Sequence, residues 1–172
     1  IMLTNIDAFL QMVPQKKFLK EDNFRLNVND NFSLEKLNAS LYDIGYEKVS
    51  IVLEPYEYAV RGGILDIWPI GEENPRRIDF FGNKVESIKS FNPVSQISIK
   101  PLNSIFLSSS LESPRSKRYN QNFAENYRNL FGPSASDQLF IHKLKNDIRA
   151  DGIENWLPLF YSNNLCSIID FF

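Results

Sequence analysis

The residues best able to do chemistry in this chain lie between Tyr58 and Phe81, and what they offer is binding rather than catalysis. In Arg77-Ile78-Asp79-Phe80-Phe81, successive side chains of an extended strand point to opposite faces, so Ile78 and Phe80 share one face and Arg77, Asp79 and Phe81 the other. The same parity separates Tyr58 and Val60 from Ala59 and Arg61, and sets Asp66 opposite its neighbours Leu65 and Ile67. A guanidinium makes paired hydrogen bonds to a carboxylate, and an aromatic ring beside it adds apolar area. Those residue types dominate the energetics of protein interfaces. The alternative is internal: Arg61 and Arg77 pair with Asp66 or Asp79, while Phe81 tucks under its turn or packs on the adjoining helical domain. Because the outward side chains leave the core, truncating Arg77 or Phe81 is expected to leave the melting temperature nearly unchanged. Truncating Ile78 or Phe80 is expected to unfold the sheet.

No other grouping carries chemistry as well. The chain has no Gly-x-x-x-x-Gly-Lys-Ser/Thr loop to cradle phosphates and no Gly-x-Gly-x-x-Gly opening a helix, so no cofactor is expected within it. His142 is the sole histidine and Cys166 the sole cysteine, which leaves no metal site and no His-dependent triad in prospect. Glu72-Glu73 falls in a polar loop, and Asp66 and Asp79 stand beside arginines, where structural ion pairs are expected rather than general acid and base. The basic runs Arg115-Ser116-Lys117-Arg118 and Lys143, Lys145, Arg149 read as charged helix faces, without the interleaved exposed aromatics of a nucleic-acid groove. No catalytic residue is assigned.

Two tight turns must position the arginines and the ring. Arg61-Gly62-Gly63-Ile64 and Phe81-Gly82-Asn83-Lys84 have the glycines that two-residue hairpins need, and the Pro- and Gly-rich stretch 69–75 joins them into a meander. Strands are predicted near 47–54, 56–61, 64–69, 76–82 and 84–91, with one or two short ones between Ile97 and Leu107. Ser33 caps a helix carrying Leu34, Leu37, Leu41 and Ile44 on one stripe, ended by Gly45, and this helix should cover the inner face of the sheet. After Ser108-Ser109-Ser110 the period changes. Ser113 and Pro114 begin a helix with the stripe Tyr119, Phe123, Tyr127, Leu130, Phe131, closed by Gly132-Pro133, and a second helix is predicted from Asp137 to Ile148 with Phe140, Ile141, Leu144 and Ile148 buried. Ile1 to Val13 reads as a strand or short helix ending at Pro14. The fold class is therefore α+β: a small, mostly antiparallel sheet domain with one covering helix, followed by a smaller helical segment.

At 172 residues, 43% hydrophobic and 23% charged, the composition is that of a globular protein of one or two domains. A net charge of −2 sets up no global field for nucleic acid. No membrane span or signal segment is evident, and with one cysteine a cytoplasmic setting is expected. The isoleucine at position 1 and the apolar run at 168–172 read as cut ends of a larger protein.

The blocks Gly45-Tyr46-Glu47-Lys48-Val49, Glu57 to Pro69, Arg77 to Gly82 and Val85-Glu86-Ser87-Ile88 together resemble one module. It is the second domain of the UvrB-like N-terminal region of bacterial transcription-repair coupling factors. Ala150 to Tyr161 resembles a signature of coupling factors not expected in UvrB itself. The chain departs from that family at Tyr56, where glycine is usual, near Asn83, where an acidic residue is usual, and at Ile97, where arginine is usual. The resemblance implies residues 1–23 as a remnant of the first domain, 24–110 as the UvrA-binding β module, and 111–172 as the truncated returning part of the first domain, whose stripes would be partly exposed or repacked. It further implies that Arg61, Arg77 and Phe81 contact the repair protein UvrA. The piece would be a monomeric interaction module, not itself an enzyme. The larger protein would bind ATP and Mg in a motor region, translocate on DNA and meet RNA polymerase through other regions, in transcription-coupled nucleotide excision repair. A UvrB-like damage-recognition domain touching nucleic acid is the alternative.

Overall fold

Each hairpin turn places a glycine in the left-handed region at its first central position, Gly62 and Gly82 both at φ 59°, a conformation that glycine adopts without the steric cost of a Cβ. Gly63 is needed for another reason: a Cβ there would stand 2.7 Å from the carbonyl oxygen of Phe80, whose N–H donates to the Gly63 carbonyl at 2.7 Å. The turns therefore fix the register of a meander made of β4 (Glu57–Arg61), β5 (Ile64–Ile67), β6 (Arg76–Phe81) and β7 (Lys84–Phe91). β3 (Glu47–Lys48) and β8 (Ser98–Leu102) complete a six-stranded sheet in the order β3-β4-β5-β6-β7-β8, antiparallel throughout except for β3 beside β4. The computed structural model describes residues 6, 10, 12–21, 23–109, 111, 117–132, 139–146, 152–162 and 164–171.

Inner-face side chains of the meander form the main core. Tyr58, Leu65, Ile67, Ile78, Phe80, Val85 and Ile88 are buried together with Leu37, Leu41 and Ile44 from the covering helix, Leu34–Asp43. Ser33 caps that helix as expected, accepting the Lys36 N–H at 3.4 Å, and Gly45 follows it at φ 96°. Two strands far apart in sequence, β2 (Phe24–Asn27) and β9 (Ser104–Leu107), pair antiparallel and add Leu26, Ile105 and Leu107 to the same core. Nothing in the sequence pattern singles out β2.

The predicted strand 47–54 is corrected to two residues. Beyond Lys48 the chain leaves the sheet because the Glu57 carboxylate accepts the N–H groups of Leu53 and Glu54 at 2.7 and 2.8 Å, and Tyr56 adopts φ 70°. That side chain occupies a backbone conformation suited to glycine. The loop packs Val52 with Ala59 and Phe91 into a small second core on the outward face of the sheet, flanked by Val49 and Trp68.

Contacts divide the chain into two units, Asp22–Leu111 and Ile1–Glu21 with Glu112–Phe172. In the second unit the Lys117–Phe131 helix and the short helices Leu139–Lys145 and Leu157–Tyr161 bury Tyr119, Phe123, Tyr127, Ile141, Leu159 and Phe160 in one aromatic-rich cluster. Phe123 and Phe160 meet with ring centroids 4.8 Å apart. The expected stripe needs one correction, since Leu130 lies on the exposed side; Phe131 is half-exposed, yet its ring meets Tyr127 at a tilt and Trp156 edge-on. β1 (Met12–Pro14) extends through Pro14 and pairs with β10 (Leu165–Ser167). The capping residues Ser113 and Pro114, the helix limits Asp137 and Ile148, and most of the first eleven residues lie outside the described residues.

Gly63→Ala is expected to lower the melting midpoint by several degrees, the shift that about 1–3 kcal/mol produces in a domain of this size, because backbone must move to admit the methyl group. An unchanged midpoint in thermal denaturation would mean that the two strands do not approach as closely as described.

Candidate functional site

The outward face of the meander is organised around one carboxylate. Asp66, on β5, stands opposite Ala59 of β4 and Arg77 of β6 in the antiparallel register and is only 1% exposed. Arg77 grips it with two hydrogen bonds, Nε to Oδ1 at 2.6 Å and Nη2 to Oδ2 at 2.8 Å. This fork is what a planar guanidinium does and an ammonium cannot. Arg61, two residues beyond Ala59 on the same face, donates from Nη2 to the same Oδ2.

Arg77 is committed on its other sides as well. Its Nη1 donates to the Gln96 carbonyl and its Nη2 to Gln96 Oε1, both at 3.2 Å, while its guanidinium carbon lies 4.6 Å from the centroid of the Phe91 ring. Gln96, at φ 61°, is itself anchored by Nε2 hydrogen bonds to the carbonyls of Pro93 at 2.6 Å and Val52 at 3.4 Å. Hydrogen bonding to Asp66 raises the affinity of Arg77 for its proton, against the opposing effect of burial. The Arg77 side chain is 19% exposed, that of Arg61 49%. Sequence parity had no means of finding Gln96, which lies in a loop.

A second ion pair lies toward the turns. Lys89 donates to Asp79 Oδ2 at 2.9 Å, and the Ser87 hydroxyl donates to the same oxygen. Partial burial pushes the Asp79 carboxyl up, but the Ser87 hydroxyl, Lys89 and Arg77 outweigh it and hold the group below its ordinary value. Ile64, directly across from Asp79, brings a partly exposed aliphatic side chain to this face. Phe81 ends β6 beside the Gly82 turn and is 76% exposed. Within these two clusters, Asp66 is shared by Arg61 and Arg77, and Asp79 is paired with Lys89.

The structure thus brings Arg61 and Arg77 together on Asp66 and sets Phe81 on the same face at the turn. It overturns the expectation that Arg77 can be truncated at no cost to folding, because Arg77 is the main partner of a buried charge. Elsewhere, Glu72 pairs with Arg76, His142 is exposed beside Asn146, and Cys166 is half-buried on β10. Among the described residues no group of His, Cys, Asp and Glu is arranged to hold a metal ion, and no helix is long and apolar enough to cross a membrane. Arg115, Ser116 and Arg149, with the side chains of Lys117, Arg118 and Lys145, lie outside the described residues.

Two outcomes follow for stability. Arg77→Ala should lower the melting midpoint, as for removing one partner of a buried pair at about 3 kcal/mol or more, while Arg61→Ala, removing the half-exposed partner, should cost about 1 kcal/mol or less. Equal, small shifts in thermal melts would contradict this geometry. A carboxyl held below its ordinary value near 3.8 contributes stability that is present above that value and is lost as pH falls through the folded-state value. Asp79→Asn should therefore flatten the acid limb of a plot of melting midpoint against pH below about pH 4, and an acid limb as steep as the parent's would argue against the Ser87–Asp79–Lys89 cluster.

Residues 24–112, just over half of the chain, match the family model described as the UvrB interaction domain. The chain is 30% identical over 172 residues to the transcription-repair-coupling factor of Haemophilus influenzae and 28% identical over 172 residues to that of Escherichia coli, covering 99% and 100% of its own length. It is 37% identical over 105 residues to the coupling factor of Bacillus subtilis, covering 61% of its length. It spans only 15% of the first two relatives and 9% of the third. The outward face lies wholly inside the matched segment, and this chain belongs to the UvrB interaction domain family.

Proposed function

We propose that the outward face of the β4–β7 meander is a protein-docking surface that recruits UvrA, with Arg61, Arg77 and Phe81 at its centre. The observation that supports this most is Phe81: a phenylalanine 76% exposed at a structured turn, on the face that also carries the half-exposed Arg61. Phenylalanine and arginine are both residue types that anchor interfaces, and here both are accessible on one face. The Arg61 N–H groups not used by Asp66 suit a carboxylate on the partner surface.

In this reading the piece recruits UvrA, and the larger protein, an ATP-driven translocase on DNA, brings it to lesions where RNA polymerase has stalled. These 172 residues would neither bind nor hydrolyse ATP. Binding of duplex DNA would be weak and steeply salt-dependent, as a few scattered phosphate contacts are.

Titration of purified UvrA with the chain tests the proposal. Phe81→Ala should weaken binding about tenfold or more, roughly 1.4 kcal/mol, with the melting midpoint unchanged. If the variant binds as well as the parent, the ring is incidental. A tight duplex-DNA complex at physiological salt would favour a nucleic-acid role instead.

A further inference from the structure

Val94, Ile97 and Ile99 are exposed around β8, and Leu130 with Phe131 on the Lys117–Phe131 helix, but nothing shows what would cover either patch. The division of labour among Asp66, Arg77 and Arg61 carries further, and it rests on the UvrA-binding reading above.

A guanidinium has five N–H donors, and their use differs between the two arginines. Arg77 spends Nε, Nη1 and Nη2 on Asp66 and Gln96 and lays its plane against Phe91, so little of it faces outward. Arg61 uses Nη2 alone; among the described residues its Nε and Nη1 meet no acceptor, and about half of the side chain is in solvent. Asp66 accepts from both, with almost no surface of its own. We infer that Asp66 and Arg77 are positioning residues of the docking face, and that Arg61, held on one side by Asp66, presents its free edge to a carboxylate of the partner while Phe81 supplies the apolar contact. Holding a long side chain by one end before binding reduces the rotamer freedom that binding must remove.

A double-mutant cycle on UvrA binding separates this from a merely structural role. Asp66→Asn removes a negative charge, so by field alone it would tighten binding of an acidic partner. A loss is instead the mark of lost positioning. We expect Asp66→Asn to weaken binding about tenfold in the parent but less than about twofold in Arg61→Ala, because the residue it positions is then gone. Arg77→Lys keeps a cation against Asp66 but cannot span both oxygens; it should show the same coupling, and it carries the cycle should Asp66→Asn fail to fold. Equal losses in both backgrounds, or a gain in affinity for Asp66→Asn, would overturn the inference while leaving UvrA binding intact. No binding by the parent chain would overturn the functional reading and this inference with it.

Discussion

A carboxylate shut away from water needs cations within hydrogen-bonding distance, or it becomes a large liability to the fold. Asp66 sits in the middle of a sheet, at the meeting point of β4, β5 and β6, and has that requirement met by Arg77 along one edge and Arg61 at one oxygen. Much of the outward face follows from it. Arg77 must lie down along the sheet to reach both oxygens, which brings its plane onto Phe91 and its remaining N–H groups to the Gln96 loop. Gln96 in turn reaches the Val52 loop, which closes the small second core over Ala59. The sheet is therefore packed on both faces at one end and open at the other. Arg61, Ile64 and Phe81 are what remains uncovered.

Stability and recognition are divided along the same line. Side chains near Phe91 have their polar groups satisfied within the chain, whereas those near the Gly62 and Gly82 turns retain free donors and exposed apolar area. An interface needs a rigid platform beneath a few accessible anchors, because ordering mobile side chains on binding subtracts from affinity. Here the platform is a hydrogen-bonded meander whose turns admit glycine for stated steric reasons.

The alternation of Ile78 and Phe80 with Arg77, Asp79 and Phe81 made the two faces of β6 legible from the residues alone, and the glycines at 62, 63 and 82 located the turns. The cap at Ser33 and the stripe Leu37, Leu41, Ile44 did the same for the covering helix. What periodicity could not show was anything that depends on distant segments meeting. β2 finds β9 across some eighty residues, and the loop after Lys48 folds back because Glu57 captures its backbone N–H groups, against the strand character of Val49, Ile51 and Leu53. Parity placed Arg77 outward but not how far its guanidinium would be consumed, since Gln96 reaches it from a loop without a repeat. Leu130 fitted the stripe of its helix yet lies on its exposed side.

Asp66 holds Arg77 by both oxygens and Arg61 by one, which leaves one edge of Arg61 without an acceptor among the described residues. The most direct measurement is NMR of the arginine side-chain Nε–H groups, with hydrogen exchange followed in the free chain and again with UvrA added. In the free chain the Arg77 Nε–H should exchange slowly and that of Arg61 fast; with UvrA, protection should appear at Arg61 while Arg77 is little changed. Rapid exchange at Arg77 in the free chain, or protection gained at Arg77 and not at Arg61 on adding UvrA, would contradict the account.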